Sequence, residues 1–183
     1  MKIQSTAIQG VSVVETKQIA DGRGRFSRLF CNQELAYLLG DRNIVQMNHS
    51  LTSQEGSVRG LHYQFPPYAE MKFVRCLKGS VWDVAVDLRA GSPTFLSWHA
   101  EVLSEGNSRM MVIPEGCAHG FQVLNEDSEL LYLHTAAYAP DVEGGVRYDD
   151  PLISVAWPLA IADVSSRDQQ LQLLRSDFKG MKL

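Results

Sequence analysis

Residues 58–72 gather side chains suited to acid–base chemistry on an anion. The stretch reads Val58-Arg59-Gly60-Leu61-His62-Tyr63-Gln64, then Phe65-Pro66-Pro67-Tyr68-Ala69-Glu70-Met71-Lys72. An imidazole that titrates near neutral pH stands between a guanidinium and an ammonium. A neutral His62 can take a proton, and Arg59 and Lys72 can hold negative charge on a substrate or an intermediate. Taken alone, the same residues read more simply as a satisfied, half-buried strand histidine and two solvated cations. Pro66-Pro67 sets a turn between the two halves, because proline fixes φ and disfavours helix in the residue before it.

Further polar groups sit on apolar strands. In Glu129–Thr135, Leu130, Tyr132 and His134 share one face by parity. A phenol between Leu131 and Leu133 needs a hydrogen-bond partner or a cavity, and a satisfied core tyrosine is the plainer reading. His119 stands where the turn Pro114-Glu115-Gly116 re-enters a strand. Gln46 and Asn48 share a strand face and offer amide donors and acceptors. Asp168 reads as a first-turn helix carboxylate. Parity also poses a problem: in a regular strand Arg59 and His62 point to opposite faces. If both serve one site, the strand must end or bulge near Gly60. No His-x-His pair occurs, so a metal site would need His49, His62 and His119 to converge in space.

The elements that position these groups are mostly strands. Candidates are Val11–Glu15, Phe26–Phe30, Ile44–Ser50, Val58–Gln64, Met71–Leu77, Ser80–Leu88, Phe95–Leu103, Met110–Ile113, His119–Leu124 and Glu129–Thr135. Glycine- and proline-bearing turns punctuate them, among them the glycine-rich turn 21–25. In Ser80–Leu88 the face of Trp82, Val84, Val86 and Leu88 is apolar, and the face of Val81, Asp83, Ala85 and Asp87 is mixed. That pattern predicts one face in a core. One helix is expected over Gln33–Leu39, capped by Asn32, with Glu34 in its first turn and Gly40 as its stop. A polar turn over 163–168 leads into a weak helix or irregular tail. Short strands with little helix read as an all-β jelly roll or barrel.

Composition narrows the function classes. The 183 residues suit one domain, 1–183, and hydrophobics at 45% suffice for a core. Net charge is −4, which argues against nucleic acid as a partner and confines any anion site to a local basic cluster. No apolar run reaches a membrane span, and the N-terminus lacks a signal-peptide core, so a cytoplasmic protein with no membrane partner is expected. Cys31, Cys76 and Cys117 are odd in number and far apart, and read as buried thiols rather than a disulfide framework.

An ordered set of motifs then carries a resemblance. Gln46-Met47-Asn48-His49-Ser50, Arg59 to Gln64, Asp83 to Arg89 with Ser92-Pro93-Thr94-Phe95, Pro114 to Phe121, Tyr132 with Tyr138-Ala139-Pro140, and Asp149-Asp150-Pro151 appear in sequence. Together, from about Gly10 to Asp168, they resemble the dTDP-4-dehydrorhamnose 3,5-epimerase family. The resemblance implies a cupin-like double-stranded β-helix, or jelly roll, with short peripheral helices. It implies a homodimer without metal or organic cofactor, acting on a nucleotide-sugar substrate, a 4-keto-6-deoxyhexose on a nucleoside diphosphate. By position His62 corresponds to the general base, Asp168 to the carboxylate that orients it, and Tyr132 to the acid on the opposite face of the sugar. Lys72 corresponds to the cation beside the enolate, with His119 nearby. Arg23, Phe26, Arg28, Gln46, Asn48, Arg59, Tyr138, Glu143 and Arg167 correspond to substrate-binding positions, with Arg23 reaching the partner subunit's site. The chain departs from the family at Arg28, where a base-reading Glu is usual, at Leu133 and His134, where a Lys and a small residue are usual, and at Tyr148, which replaces a Trp. These departures bear on which nucleotide is bound and on which carbons are inverted. An epimerase limited to one carbon, one using a GDP- or CDP-sugar, a non-catalytic sugar-nucleotide-binding cupin and a metal-dependent cupin are the rival readings.

Overall fold

A computed structural model describes residues 1–183. In chain order the strands are β1 (Lys2–Ser5), β2 (Ser12–Glu15), β3 (Gln18–Asp21), β4 (Gly24–Ser27), β5 (Gln46–Thr52), β6 (Val58–Gln64), β7 (Lys72–Lys78), β8 (Ser80–Asp87), β9 (Trp98–Ser104), β10 (Arg109–Ile113), β11 (Cys117–Val123), β12 (Ser128–His134) and β13 (Glu143–Gly145). The only α-helices are α1 (Ala36–Leu39) and α2 (Ser166–Gln169). One sheet runs β1-β2-β10-β7-β12-β5, a second β13-β6-β11-β8-β9, and β3-β4 form a separate hairpin. Every strand pair in these sheets is antiparallel. Two facing sheets with short peripheral helices are the jelly roll expected from the spacing of strands and turns.

Three apolar layers hold this frame. Val74, Cys76, Met111 and Leu130 of the first sheet meet Val81, Ala85, Phe121 and Val123 of the second. Val14, Phe73, Met110 and Leu133 on the outer face of the first sheet receive Leu35 and Leu39 from the α1 region. Burying each such side chain is worth about 1.5–3 kcal/mol. The third layer corrects an expectation. Both faces of β8 are covered, not one: Val84, Val86 and Leu88 pack under Val146, Ile153 and Met181, with Trp157 and Phe178 alongside. The chain after β13 folds back over the outside of the second sheet, so the mixed face of β8 turns inward and carries Asp83 and Asp87 into the roll.

Several boundaries differ from expectation. The helix expected over Gln33–Leu39 is one α-turn, capped by no side chain at Leu35, with Asn32 in a preceding turn. Its contribution comes from Leu35 and Leu39 packing rather than from an N-terminal cap. The strand expected from Phe95 begins at Trp98, because residues 92–94 wrap Asp87. Ser92 Oγ, Thr94 Oγ1 and Arg89 Nε donate to that carboxylate at 2.5, 2.6 and 2.8 Å. Although burial works the other way, these donors hold Asp87 down at about 2. β1 and β3 were not expected at all; both are short and largely exposed. Of the thiols, Cys76 and Cys117 are buried and pushed up to about 11 and about 12 by desolvation, whereas Cys31 is only half-buried.

The parity problem at Arg59 and His62 is solved by a bulge. Opposite β11, His62 pairs with His119 and Arg59 with Phe121, so β6 spends three steps where β11 spends two. The extra residue falls at Gly60 and Leu61. Gly60 has φ +120°, and a Cβ there would lie 2.6 Å from Gly120 Cα and 2.7 Å from His119 O. Only glycine fits both the angle and the space. Gly60→Ala is therefore expected to cost at least about 2 kcal/mol, read as a lower urea midpoint at unchanged slope; an unchanged midpoint would contradict this account of the bulge.

Candidate active site

A cavity of about 610 Å³ opens between the two sheets above the central apolar layer. His62 and His119 enter it from β6 and β11 of the second sheet, and Lys72, Tyr132 and His134 from β7 and β12 of the first. The expected face of Leu130, Tyr132 and His134 is real: Leu130 joins the central layer while Tyr132 and His134 line the cavity.

Asp168 reaches His62 from α2. Ser165 caps that turn by accepting the Asp168 N–H at 3.1 Å. The carboxylate then splits its oxygens. Oδ1 lies 2.7 Å from His62 Nε2, and Oδ2 accepts the Gly60 N–H at 3.1 Å. Burial alone would push Asp168 up, but the His62 hydrogen bond and charge and the Gly60 N–H together outweigh it and hold the carboxyl below its ordinary value of 3.8. An ionised Asp168 can only accept, so His62 donates from Nε2 and keeps its other nitrogen as a base.

The opposite wall holds a neutral proton donor. Burial pushes the Tyr132 phenol far above its usual range, so it stays protonated at neutral pH. Its hydroxyl pairs with Ser50 Oγ at 3.1 Å. His119 stands edge-on to the Tyr132 ring, with centroids 6.1 Å apart. His119 Nε2 is bound to Asp83 Oδ1 at 2.7 Å. Asp83 is fully buried, and desolvation raises its carboxyl against the pull of His119 and of Lys72. Lys72 Nζ lies 3.2 Å from Glu70 Oε1.

The remaining expected residues divide into two groups. Asn48, Arg59, Tyr138 and Glu143 line the cavity. Gln46 joins them through Asn48, at 3.1 Å. Arg167 joins through Glu143, whose Oε2 also accepts the Tyr138 hydroxyl, at 2.6 and 2.7 Å. Arg23, Phe26 and Arg28 do not line their own chain's cavity, which corrects an assignment of Phe26 and Arg28 to it. Arg23 sits at the tip of the β3–β4 hairpin, paired with Asp21 at 2.6 Å. Phe26 and Arg28 line a separate hollow beside Lys17 and Glu34, and Arg28 pairs with Glu34. The histidines considered as a metal set are committed to three different carboxylates: His62 to Asp168, His119 to Asp83 and His49 to Glu129. Sequence reasoning missed Asp83, Ser50 and Glu70 as members of the site. Asp83 was visible as a carboxylate on the mixed face of its strand. Ser50 lay two residues beyond Asn48 on the same strand face. Glu70 gave no signal except its place two residues before Lys72.

With this geometry in view, the chain matches, over residues 5–176, the family model described as dTDP-4-dehydrorhamnose 3,5-epimerase. The chain belongs to that family. A dTDP-4-dehydrorhamnose 3,5-epimerase of Pseudomonas aeruginosa is 44% identical over 172 residues, 93% of this chain and 94% of that one. A dTDP-4-dehydrorhamnose 3-epimerase of Streptomyces niveus is 36% identical, over 95% of this chain and 84% of its own length. Among solved structures, the epimerase of Legionella pneumophila in complex with dTDP-4-keto-L-rhamnose is 37% identical and superposes with a TM-score of 0.91, over 100% of this chain and 98% of that one. The jelly roll found here is the architecture of these epimerase structures. No helix of the chain is long and apolar enough to cross a membrane.

The Asp168 geometry has a pH signature. A carboxylate held below its unfolded value stabilises the fold above that value and loses the contribution as pH falls through the folded one. Asp168→Asn is therefore expected to lower stability by about 1 kcal/mol near pH 7. The gap to the wild type should narrow steadily in denaturation series taken below pH 4. A gap that widened on acidification would refute the assignment.

Proposed function

We propose that this protein epimerises a 4-keto-6-deoxyhexose carried on a nucleoside diphosphate, with dTDP-4-keto-6-deoxyglucose as the substrate and dTDP-4-keto-L-rhamnose as the product. One observation carries the reading. A His–carboxylate base and a neutral phenol face one cavity from opposite sheets, with an ammonium lining the same cavity from the phenol's sheet. Inversion beside a ketone needs that arrangement. His62 takes the C–H proton, and the electron pair moves into the ketone to form an enolate. Lys72 stabilises the enolate oxygen. Asp168 stabilises the imidazolium formed on His62. Tyr132 then gives its O–H proton to the other face of the same carbon, and the enolate returns to ketone. His62 releases its proton to solvent and Tyr132 regains one, so no redox step and no net proton is involved.

The other cavity cations and amides suit the rest of the substrate. Arg59 and Arg167 bracket the His62 end, and Gln46 and Asn48 line the neighbouring strand; guanidinium and amide donors match a diphosphate. Family membership and the structures of relatives with sugar nucleotides support this assignment. Restriction to one carbon is the second reading, favoured by the Streptomyces niveus relative. Arg28 favours a further reading with a GDP- or CDP-linked sugar: it only donates where an acceptor is usual, and it is engaged by Glu34.

The homodimer is part of the proposal. Ile19 and Phe26 on the β3–β4 hairpin are 61% and 69% exposed, and Met47 on edge strand β5 is 67% exposed. A second copy seated on this side would cover the apolar groups and bring Arg23 and Phe26 to a neighbouring cavity. Light scattering is expected to give the mass of two chains of 20.4 kDa; a monomer that is fully active would remove this element. A cytoplasmic setting completes the reading.

The deciding experiment is proton NMR in D2O with dTDP-4-keto-6-deoxyglucose. Deuterium entry at both C3 and C5 with a rhamno-configured product is expected. Entry at one carbon would establish the restricted enzyme, and binding without any exchange, repeated with GDP- and CDP-linked sugars, would leave only the non-catalytic reading. His62→Ala should lose about two to four orders of magnitude in rate. Tyr132→Phe should lose inversion yet keep exchange of the proton that His62 removes. Inversion without exchange in that variant would reverse the assigned roles.

A further inference from the structure

Of the cavity's histidine–carboxylate pairs, His62–Asp168 is the base of the proposed reaction, and the pair His134–Glu70 has no task in it. His134 Nδ1 lies 2.7 Å from Glu70 Oε2, and the other oxygen of Glu70 faces Lys72 Nζ at 3.2 Å. On its far side, His134 Nε2 lies 3.3 Å from Asn48 Nδ2. Asn48 Oδ1 accepts from Gln46 Nε2 at 3.1 Å, and Gln46 Oε1 accepts from the Tyr138 backbone N–H at 3.0 Å. Five groups thus run in one line from the cavity rim to Lys72.

The two ends dictate the direction of every bond between them. A backbone N–H only donates, so Gln46 presents oxygen to Tyr138 and nitrogen to Asn48. Asn48 then presents oxygen to Gln46 and an N–H to His134. His134 Nε2 must hold a lone pair there, and the ring proton sits on Nδ1, donated to Glu70. Lys72 closes the line from the other end, because an ammonium also only donates. Burial pushes Glu70 up, yet His134 and Lys72 outweigh it and hold the carboxyl below its ordinary value. Both oxygens of that carboxylate are occupied, one by each neighbour.

We propose that Gln46, Asn48, His134 and Glu70 form a directed hydrogen-bond line that positions Lys72 against the developing enolate, with His134 as its connecting link rather than an acid or base of the reaction. The inference rests on the enolate role given to Lys72. A lysine has a flexible four-carbon stem, and an ammonium stabilises an enolate best when it is held in place beforehand. Glu70 supplies the hold, and His134 fixes Glu70. The His134 ring also lies nearly parallel to Tyr132, at 20° with centroids 6.1 Å apart, so a flat side chain is needed there for packing alone.

The test compares His134→Gln with His134→Phe, beside the wild type. A carboxamide offers an N–H donor and a lone-pair acceptor, its oxygen standing in for the bare ring nitrogen, whereas phenyl keeps the flat face and has neither. His134→Phe should lose about tenfold in kcat with KM within about threefold, and His134→Gln should stay within about threefold of the wild type in both. An undiminished kcat in His134→Phe overturns the proposal. Equal losses in the two variants overturn it as well, because the imidazole itself would then be the working group. Nitrogen-resolved NMR of the unaltered protein needs no variant to fold. Protonated Nδ1 and bare Nε2 on His134 are expected at pH 7, and the opposite tautomer overturns the line. If the wild type exchanges no carbon-bound proton with any nucleotide-linked 4-keto sugar, the functional reading fails instead, and the tautomer still decides the hydrogen-bond line.

Discussion

Asp168 joins two things that would otherwise be independent. One oxygen holds the His62 ring, and the other holds the backbone of the bulge that carries His62. A regular β6 would send Arg59 and His62 to opposite faces, and the bulge at Gly60 sends both to the cavity. A bulge leaves backbone groups outside the ladder, and a buried N–H without a partner costs about 1–3 kcal/mol. The carboxylate that orients the imidazole is thus also the group that satisfies the distorted strand. Geometry and charge at this end of the site depend on a single side chain.

The frame around it separates dry packing from wet chemistry by depth. Between the sheets the lower layer is apolar, with Val74, Val81, Phe121 and Leu130. Above it, strand alternation delivers polar groups inward from both sheets. Charges buried there are costly unless paired, and the cavity meets that cost by pairing His62, His119 and His134 with Asp168, Asp83 and Glu70. The low-dielectric surroundings strengthen all three contacts and keep the Tyr132 phenol protonated. Stability and proton chemistry draw on the same burial.

Much of this was legible from residue order. Turn residues at short spacing disclosed the strands, and period-two alternation placed Leu130, Tyr132 and His134 together. The conflict between Arg59 and His62 required β6 either to end or to bulge near Gly60, and the register with β11 shows the bulge. What stayed hidden was non-local. β3 has no apolar alternation because most of it lies on the surface. The outer cover on β8 comes from residues after 145, such as Val146, Ile153 and Met181, whose apolar positions are too scattered to show a period. Arg28 and Phe26 follow a hairpin that carries them away from their own cavity, a matter of chain direction rather than composition. The partner of Lys72 was in plain sight as Glu70, but its contact with His134 crosses between β12 and the turn before β7, and no local pattern encodes it.

His62 and Asp168 are separated by 106 positions. Asp168 comes from a segment that follows every strand of both sheets, and it reaches His62 only after that segment has folded back over β6 and β8. During synthesis the imidazole therefore exists long before its carboxylate. A chain in which this segment is undocked has the imidazole without the carboxylate that orients it. The contact that docks this segment onto β6 is the same contact that orients the base, so the last part of the chain is a working part of the site and not only its cover.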